Sequence, residues 1–249
     1  MRFRSFGSGS SGNAYIFEAK GGTFLIDSGI GVRKLAKYAI QYGHSLNSLH
    51  CLLLTHDHVD HAKSAGMVSR KYNIPVYATE KTFRGVDENP VIGKKPLSEH
   101  RNVIESGKKY NICGCGITPI QVCHDSKDCV GYFIEEEENN LCLLTDVGQI
   151  TPEIEHYLKI TQNIIIEANY DDKMLAEGPY PKFLQDRIKG GYGHLSNKQT
   201  GEIILQHYAH LKKIWLCHLS ENNNTPEQAL TIINDILRGD NVIAENIPP

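Results

Sequence analysis

The sequence predicts an α/β protein built as a four-layer αββα sandwich, and three observations lead there. Short apolar strand-like runs come in clusters separated by amphipathic helical stretches; no internal repeat or low-complexity linker divides them; and 249 residues with a hydrophobic fraction of 40% suffice for one large domain over residues 1–249. Layering two sheets with helices on the outer faces is the simplest packing, because the sheets then share a core and the helices cover what remains.

The elements follow in chain order. "NAYIFEA" and "GGTFLIDSG" read as two strands joined by a Gly-Gly turn. "VRKLAKYAIQYG" carries apolar residues at helical spacing and closes on Gly43, and "LHCLLLTH" is a short buried strand. "AGMVSRKYN" is helical and "IPVYAT" is a strand. From about residue 80 to 108 the composition turns polar, with Pro90 and Pro96, so an irregular excursion is expected. Strands resume at "GITPIQVCH", "CVGYFIEEE", "NLCLLTD", "NIIIEAN" and "KIWLCHLS". "TPEIEHYLKI" and "TPEQALTIINDILRG" each begin with a Thr N-cap and Pro at the first helical position, and Gln228 completes a capping box with Thr225.

Charge and composition exclude several classes. With 26 Lys plus Arg against 29 Asp plus Glu, a net charge of −3, the chain lacks the field of a strongly basic nucleic-acid binder, although Lys94, Lys95 and Arg101 form a modest basic rim. No stretch approaches the roughly 18 apolar residues of a membrane span. "MRFRSFGSGSSGN" lacks the apolar core of a secretory signal, so a cytoplasmic protein is expected. The seven cysteines show no C-x-x-C pair and read as reduced thiols; Cys113 and Cys115 of "CGCG" receive no role.

The chemistry gathers at strand ends. "LIDSG" ends on Asp27, "LLLTHDHVDH" on His56, His58, Asp60 and His61, "VCHDS" on His124, "LLTDVG" on Asp146 and "LCHLS" on His218. Strand tips held by a rigid scaffold are where α/β proteins assemble sites. Imidazole and carboxylate are the natural ligands of divalent transition metals, and so many donors exceed the capacity of one ion. Two divalent ions are therefore expected, Zn²⁺ in preference to Mn²⁺ for both: His56, His58 and His124 on one, Asp60, His61 and His218 on the other, Asp146 bridging. His44, His50, His100, His156, His207 and His210 read as surface residues.

H-x-H-x-D-H after a strand, followed by single His, Asp and His strand ends in that order, resembles the metallo-β-lactamase superfamily over residues 1 to about 225. The resemblance implies the sandwich fold of that type and places Asp27 beneath the metals, orienting the loop. "GYGHLSNKQTGEII" is similar to the segment of tRNA 3′-processing endonucleases whose histidine contacts the scissile phosphate. It makes His194 a catalytic group beside a helix capped by Ser196 or Asn197, where backbone N–H groups can also meet phosphate. Those enzymes carry a H-E-A motif where this chain has Ile166-Glu167-Ala168, and Glu167 is expected to orient His194. The interval between His124 and Asp146 is too short for their substrate-gripping arm.

"GSGSSGNAY", "KYNIPVYATEKT", "IEANYD", "GPYP" and "GHLSN" resemble the YycJ/WalJ branch, which includes DNA exonuclease-like proteins and phage anti-Pycsar enzymes acting on cyclic pyrimidine mononucleotides. The low positive charge tilts the expectation to a phosphodiesterase that opens 3′,5′-cyclic mononucleotides such as cCMP and cUMP to 5′-monophosphates. The alternative is a YycJ/WalJ-like metal-dependent exonuclease acting on single-stranded DNA, and the reading of another class is a non-catalytic nucleotide-binding module. Asp60, His194 and Glu167 are the expected catalytic residues, and His194, Ser196, Asn169 and Tyr180 the expected substrate contacts, Tyr180 by stacking on a base as Phe183 and Tyr192 also could. The resemblance further implies a homodimer whose partner helps wall the pocket.

Overall fold

The computed structural model describes residues 1–237 and 244–247, which fall into two compact units. Unit 1 comprises 1–119 and 126–130; unit 2 comprises 120–125 and, among the described residues, 131–237 and 244–247. The strands form two mixed sheets with helices beside them.

Unit 1 opens with β1 (Arg2–Gly7), β2 (Ala14–Ala19) and β3 (Gly22–Ile26), an antiparallel meander. The loop between β2 and β3 is Lys20-Gly21, since Ala19 pairs with Gly22. Then come α1 (Val32–Gln41), β4 (Leu49–Leu53), the single turn α2 (Val59–Ala62), α3 (Ala65–Tyr72), β5 (Val76–Ala78), α4 (Glu80–Glu88) and β6 (Arg101–Val103). The six strands pair in the order β1-β2-β3-β4-β5-β6, with β3 to β6 parallel. Leu35 and Ala39 of α1, Val68 of α3 and Phe83 of α4 share a core with Ile16, Leu25, Leu52 and Val76 of the sheet. Each such side chain contributes roughly 1.5–3 kcal/mol by leaving water. The hairpin β7 (Tyr110–Ile112) and β8 (Cys115–Gln121), whose last residues Ile120 and Gln121 belong to unit 2, follows.

The stretch after residue 80 corrects the expected irregular excursion. Thr79 accepts a hydrogen bond from the Thr82 N–H at 3.1 Å and starts α4, whose Phe83 and Val86 are buried. An N-cap and two apolar residues one turn apart outweigh the polar composition. β1 was also not anticipated; its charged residues alternate with Phe3 and Ser5 along an edge strand.

Unit 2 carries β9 (Val130–Glu136), whose first residue still belongs to unit 1, β10 (Asn139–Leu144), α5 (Pro152–Leu158), β11 (Asn163–Glu167), α6 (Asp172–Glu177), α7 (Lys182–Lys189), α8 (Asn197–His207), β12 (Lys213–Cys217), α9 (Pro226–Leu237) and β13 (Ala244–Asn246). The strands run β13-β12-β11-β10-β9, with β10 to β13 parallel. Parallel strands are covered on both faces, which is why Leu141 to Leu144 and Ile164 to Ile166 are unbroken apolar runs. Register places Leu144 beside Ile166 and Glu167 beside Cys217, so the carboxyl ends of β10, β11 and β12 finish at one edge.

Thr151 caps α5 as expected, accepting from the Ile154 N–H at 3.2 Å, and Thr225 accepts from the Gln228 N–H at 3.1 Å. The expected reciprocal bond from Gln228 is replaced: Asn224 Oδ1 takes the Thr225 N–H at 3.0 Å. The last two residues of "TPEQALTIINDILRG", Arg238 and Gly239, lie outside the described residues. His207, expected at the surface, is 7% exposed and lies 3.4 Å from Glu155.

Candidate metal centre

In unit 1 the donors come from one loop. β4 ends in an apolar run, Thr55 turns the chain, and α2 then places Asp60 and His61 on its single turn, with the His61 and Ala62 N–H groups bonded to His58 O. Asp27, just beyond β3, holds this loop from beneath. Its Oδ1 accepts the Thr55 N–H and its Oδ2 the Thr55 hydroxyl, both at 2.8 Å, and Oδ2 lies 2.7 Å from His61 Nδ1. Gly29 completes the seat, since a Cβ there would fall 1.6 Å from the Asp60 carbonyl oxygen.

The hydrogen bonds settle the tautomers. Thr55 has one hydroxyl hydrogen, given to Asp27, so the 3.0 Å contact with His56 Nδ1 is a bond the imidazole donates. His61 likewise donates from Nδ1 to Asp27. Both rings therefore carry their lone pair on Nε2, the arrangement in which a carboxylate or hydroxyl behind the ring prepares it for a cation in front. The rings of His58 and His61 lie 4.6 and 4.1 Å from that of His56. Asp60 Oδ2 lies 3.5 Å from His61 Nε2, which also meets Asn13 Nδ2 at 2.8 Å.

In unit 2 the donors come from five separate segments. His124 lies 3.2 Å from Gly193 O through Nδ1, which leaves the Nε2 lone pair 3.5 Å from Asp146 Oδ1. His218, at the end of β12, lies 3.0 Å from Glu167 Oε2 through Nδ1, and its Nε2 is also 3.5 Å from Asp146 Oδ1. Thr145 donates to the other Asp146 oxygen at 2.8 Å. Metal–nitrogen bonds of about 2.0–2.1 Å in a tetrahedron put neighbouring donors roughly 3.4 Å apart, so a carboxylate oxygen flanked by two imidazole Nε2 atoms at 3.5 Å matches a metal-ligating edge.

Glu167 organises this group. Fully buried at the end of β11, it accepts the N–H groups of Asp146 (2.9 Å), Val147 (3.3 Å) and Leu195 (2.9 Å), and its Oε2 lies 3.0 Å from Nδ1 of both His194 and His218. Burial pushes its carboxyl up, but the attraction of His194 and the bonds to both imidazoles prevail and hold it at about 2. Burial would lower His194, yet Glu167 and then Asp146 raise it, favouring an imidazolium. With both oxygens saturated, Glu167 acts as a positioning residue. His194 is 19% exposed and its ring lies 5.2 Å from that of His124 and 5.4 Å from that of His218.

Asp27, Asp146 and His218 share a backbone signature: φ of 60°, 56° and 54°. Left-handed backbone at a non-glycine costs of the order of 1–3 kcal/mol and persists where surrounding bonds over-determine it. Here each follows a strand and is pinned, Asp27 through its N–H to Leu53 O, Asp146 through its N–H to Glu167, and His218 through its carbonyl to Asn169 Nδ2 at 2.9 Å.

Among the expected substrate contacts, Asn169 is 5% exposed and braces His218. Ser196, 2% exposed, caps α8 through the Gln199 N–H at 3.2 Å while its own N–H meets Gln199 Oε1 at 2.9 Å, a capping box that leaves Asn197 as the first helical residue. Tyr180 is half-buried with its hydroxyl accepting from Asn222, while Phe183 and Tyr192 are 75% and 63% exposed. Sequence reasoning passed over Thr55 and Asn13. Thr55 was visible as the residue before the His/Asp run, whereas nothing local marked Asn13 as a neighbour of His61.

A family model, the beta-lactamase superfamily domain, matches residues 23–218. The chain belongs to the beta-lactamase superfamily. Within it, the chain is 31% identical over 242 residues to the exodeoxyribonuclease WalJ of Streptococcus pneumoniae, covering 96% of this chain and 90% of that protein. It is 28% identical to the exodeoxyribonuclease YycJ of Bacillus anthracis, covering 95% and 89%. This places it in the YycJ/WalJ-like branch. Zinc-bound PqqB of Methylobacterium extorquens shares the fold with a TM-score of 0.74 at 15% identity, over 100% of this chain and 99% of that one, and YhfI of Bacillus subtilis with 0.72 at 15%, over 99% and 95%. The metallo-β-lactamase fold is thus the one expected from the sequence, and it implies a divalent-metal site of the kind these His/Asp groups offer. The exonuclease relatives support the nuclease alternative over the cyclic-nucleotide reading.

Proposed function

We propose that the protein is a divalent-metal-dependent DNA exonuclease. The observation that carries this is the 31% identity to a curated exodeoxyribonuclease across 96% of the chain, in company with histidines each backed by a hydrogen-bond acceptor. His56, His58, Asp60 and His61 of unit 1 and His124, Asp146 and His218 of unit 2 are the residues that would ligate divalent ions; Zn²⁺ fits the imidazole-rich donor set and Mn²⁺ its carboxylates. Bound ions of this kind supply a more acidic water and neutralise charge on phosphoryl oxygens.

The residues do the rest. Asp27, Thr55, Glu167 and the Gly193 carbonyl keep the four imidazoles in one tautomer and orientation, which avoids reorganisation when charge develops. Asp60, 25% exposed at its side chain, would take a proton from the attacking water. His194, held through Nδ1 by Glu167, donates from Nε2 to the leaving oxygen. The protein acts as a cytoplasmic homodimer in this reading, which sedimentation at micromolar concentration would test.

The deciding experiment incubates pure protein with Mn²⁺ or Zn²⁺ and, separately, with 5′-labelled single-stranded DNA and 3′,5′-cyclic CMP and UMP. Stepwise shortening of the DNA is the expected result. Opening of the cyclic nucleotides without DNA shortening would install the cyclic phosphodiesterase in its place, and tight binding without turnover would leave a nucleotide-binding module.

A further inference from the structure

Away from both donor groups, unit 1 sets two thiols against each other. Cys51 Sγ and Cys113 Sγ lie 3.9 Å apart, although 62 positions separate them in the chain. Cys51 sits in the middle of β4 opposite Phe24 of β3 and is 2% exposed. Cys113 occupies the tip of the β7–β8 hairpin and is only half-buried. It has φ of 51° and is followed by Gly114 at 75°, the paired positive angles of a tight two-residue turn.

The tip is docked by its backbone. A Cβ on Gly21 would fall 2.6 Å from the Cys113 carbonyl oxygen, so the loop between β2 and β3 lies flush on the turn. The encounter of the two sulfurs is thus set by main chain on both sides. The environments also differ in the sense thiol chemistry uses. The hydrogen bond from Cys51 lowers the Cys113 thiol, whereas that same bond, then burial, raises Cys51. A metal reading does not fit, because among the described residues no cluster of potential ligands includes a cysteine.

We propose that Cys51 and Cys113 form a peroxide-responsive dithiol that closes to an intrachain disulfide, tying the β7–β8 hairpin tip to β4. The Cys113 thiolate attacks hydrogen peroxide; an S–O bond forms, the O–O bond breaks, and hydroxide leaves and is protonated to water. The sulfur of Cys51 then attacks the sulfenic sulfur as its proton is lost; the S–S bond forms, the S–O bond breaks, and a second water leaves. Two thiols are oxidised by two electrons and one peroxide is reduced to two waters. β4 runs directly into Thr55, so the cross-link anchors the strand that presents the His56 to His61 loop.

The test treats the reduced full-length protein with equimolar hydrogen peroxide, removes the excess with catalase, denatures it, blocks remaining thiols with maleimide and digests without reduction. The expected result is a mass loss of about 2 Da before blocking, reversed by dithiothreitol. Five maleimides should add instead of the seven of the reduced chain, with one cross-linked peptide pair containing Cys51 and Cys113. In Cys51→Ser the oxidised Cys113 should react with dimedone, and in Cys113→Ser the mass loss should vanish. Maleimide on both Cys51 and Cys113 of the peroxide-treated wild type would overturn the proposal, as would a disulfide joining Cys113 to Cys115 or Cys123.

Discussion

The two donor groups solve one problem by opposite means. In unit 1, His56, His58, Asp60 and His61 occupy six consecutive positions, and a single buried carboxylate, Asp27, with Thr55 as relay, orients the imidazoles. In unit 2, His124, Asp146, Glu167, His194 and His218 come from five segments, and Glu167 gathers five N–H donors to align them. A local group can be built by one turn and one brace. A dispersed group needs a hub, and the hub must be buried, charged and saturated, since a carboxylate left short of donors there would cost several kcal/mol.

The contrast can be broken by mutation. His61→Ala should cause the largest loss, removing DNA hydrolysis altogether and lowering bound metal measured by elemental analysis; full turnover would mean that the assigned ligands are wrong. His194→Ala should lower kcat by about 10²–10⁴-fold with metal content unchanged, which separates proton delivery from ligation. Glu167→Gln and Asp27→Asn keep shape while replacing an acceptor oxygen by an amide, and each should weaken metal affinity by roughly 10–100-fold in competitive chelation. Glu167→Gln should also destabilise the metal-free protein more than Asp27→Asn, because five donors meet Glu167 against three at Asp27. Equal melting temperatures for those two variants would remove the distinction between hub and brace.

The smallest expected effect sharpens the comparison further. Thr55 and Thr145 each donate to a site carboxylate at 2.8 Å, but Thr55 also meets His56 and His61 at 3.0 and 3.2 Å. Thr55→Val should therefore cost about 1–3 kcal/mol in urea unfolding and Thr145→Val about 1 kcal/mol. The reverse order would show that Thr55 is not the relay.

The unit 1 group was legible because its signal is local: an apolar strand followed by crowded His and Asp donors needs no knowledge of what lies elsewhere in the chain. His124, Asp146 and His218 were legible more weakly, as polar residues ending apolar strands, and needed the order of a known family to be read together. Thr79 starting α4 was missed because a window rich in charge, Gly and Pro masked a good N-cap. Ser196 and Asn169 were read as substrate contacts from their place in a motif, whereas their hydrogen bonds run to the cap of α8 and to His218.

Alternation, capping and strand-end polarity are short-range properties, so most of the strands, several of the helices and the gathering of His and Asp donors at strand ends could be read from residue order alone, whereas β1 and α4 could not. Tautomer, the left-handed turns at Asp27, Asp146 and His218, the saturation of Glu167 and the meeting of Cys51 with Cys113 could not. Each of these depends on which strands lie side by side and in what register. Parallel pairing of β10, β11 and β12 brings residues tens of positions apart to one edge, and only there do their hydrogen bonds exist.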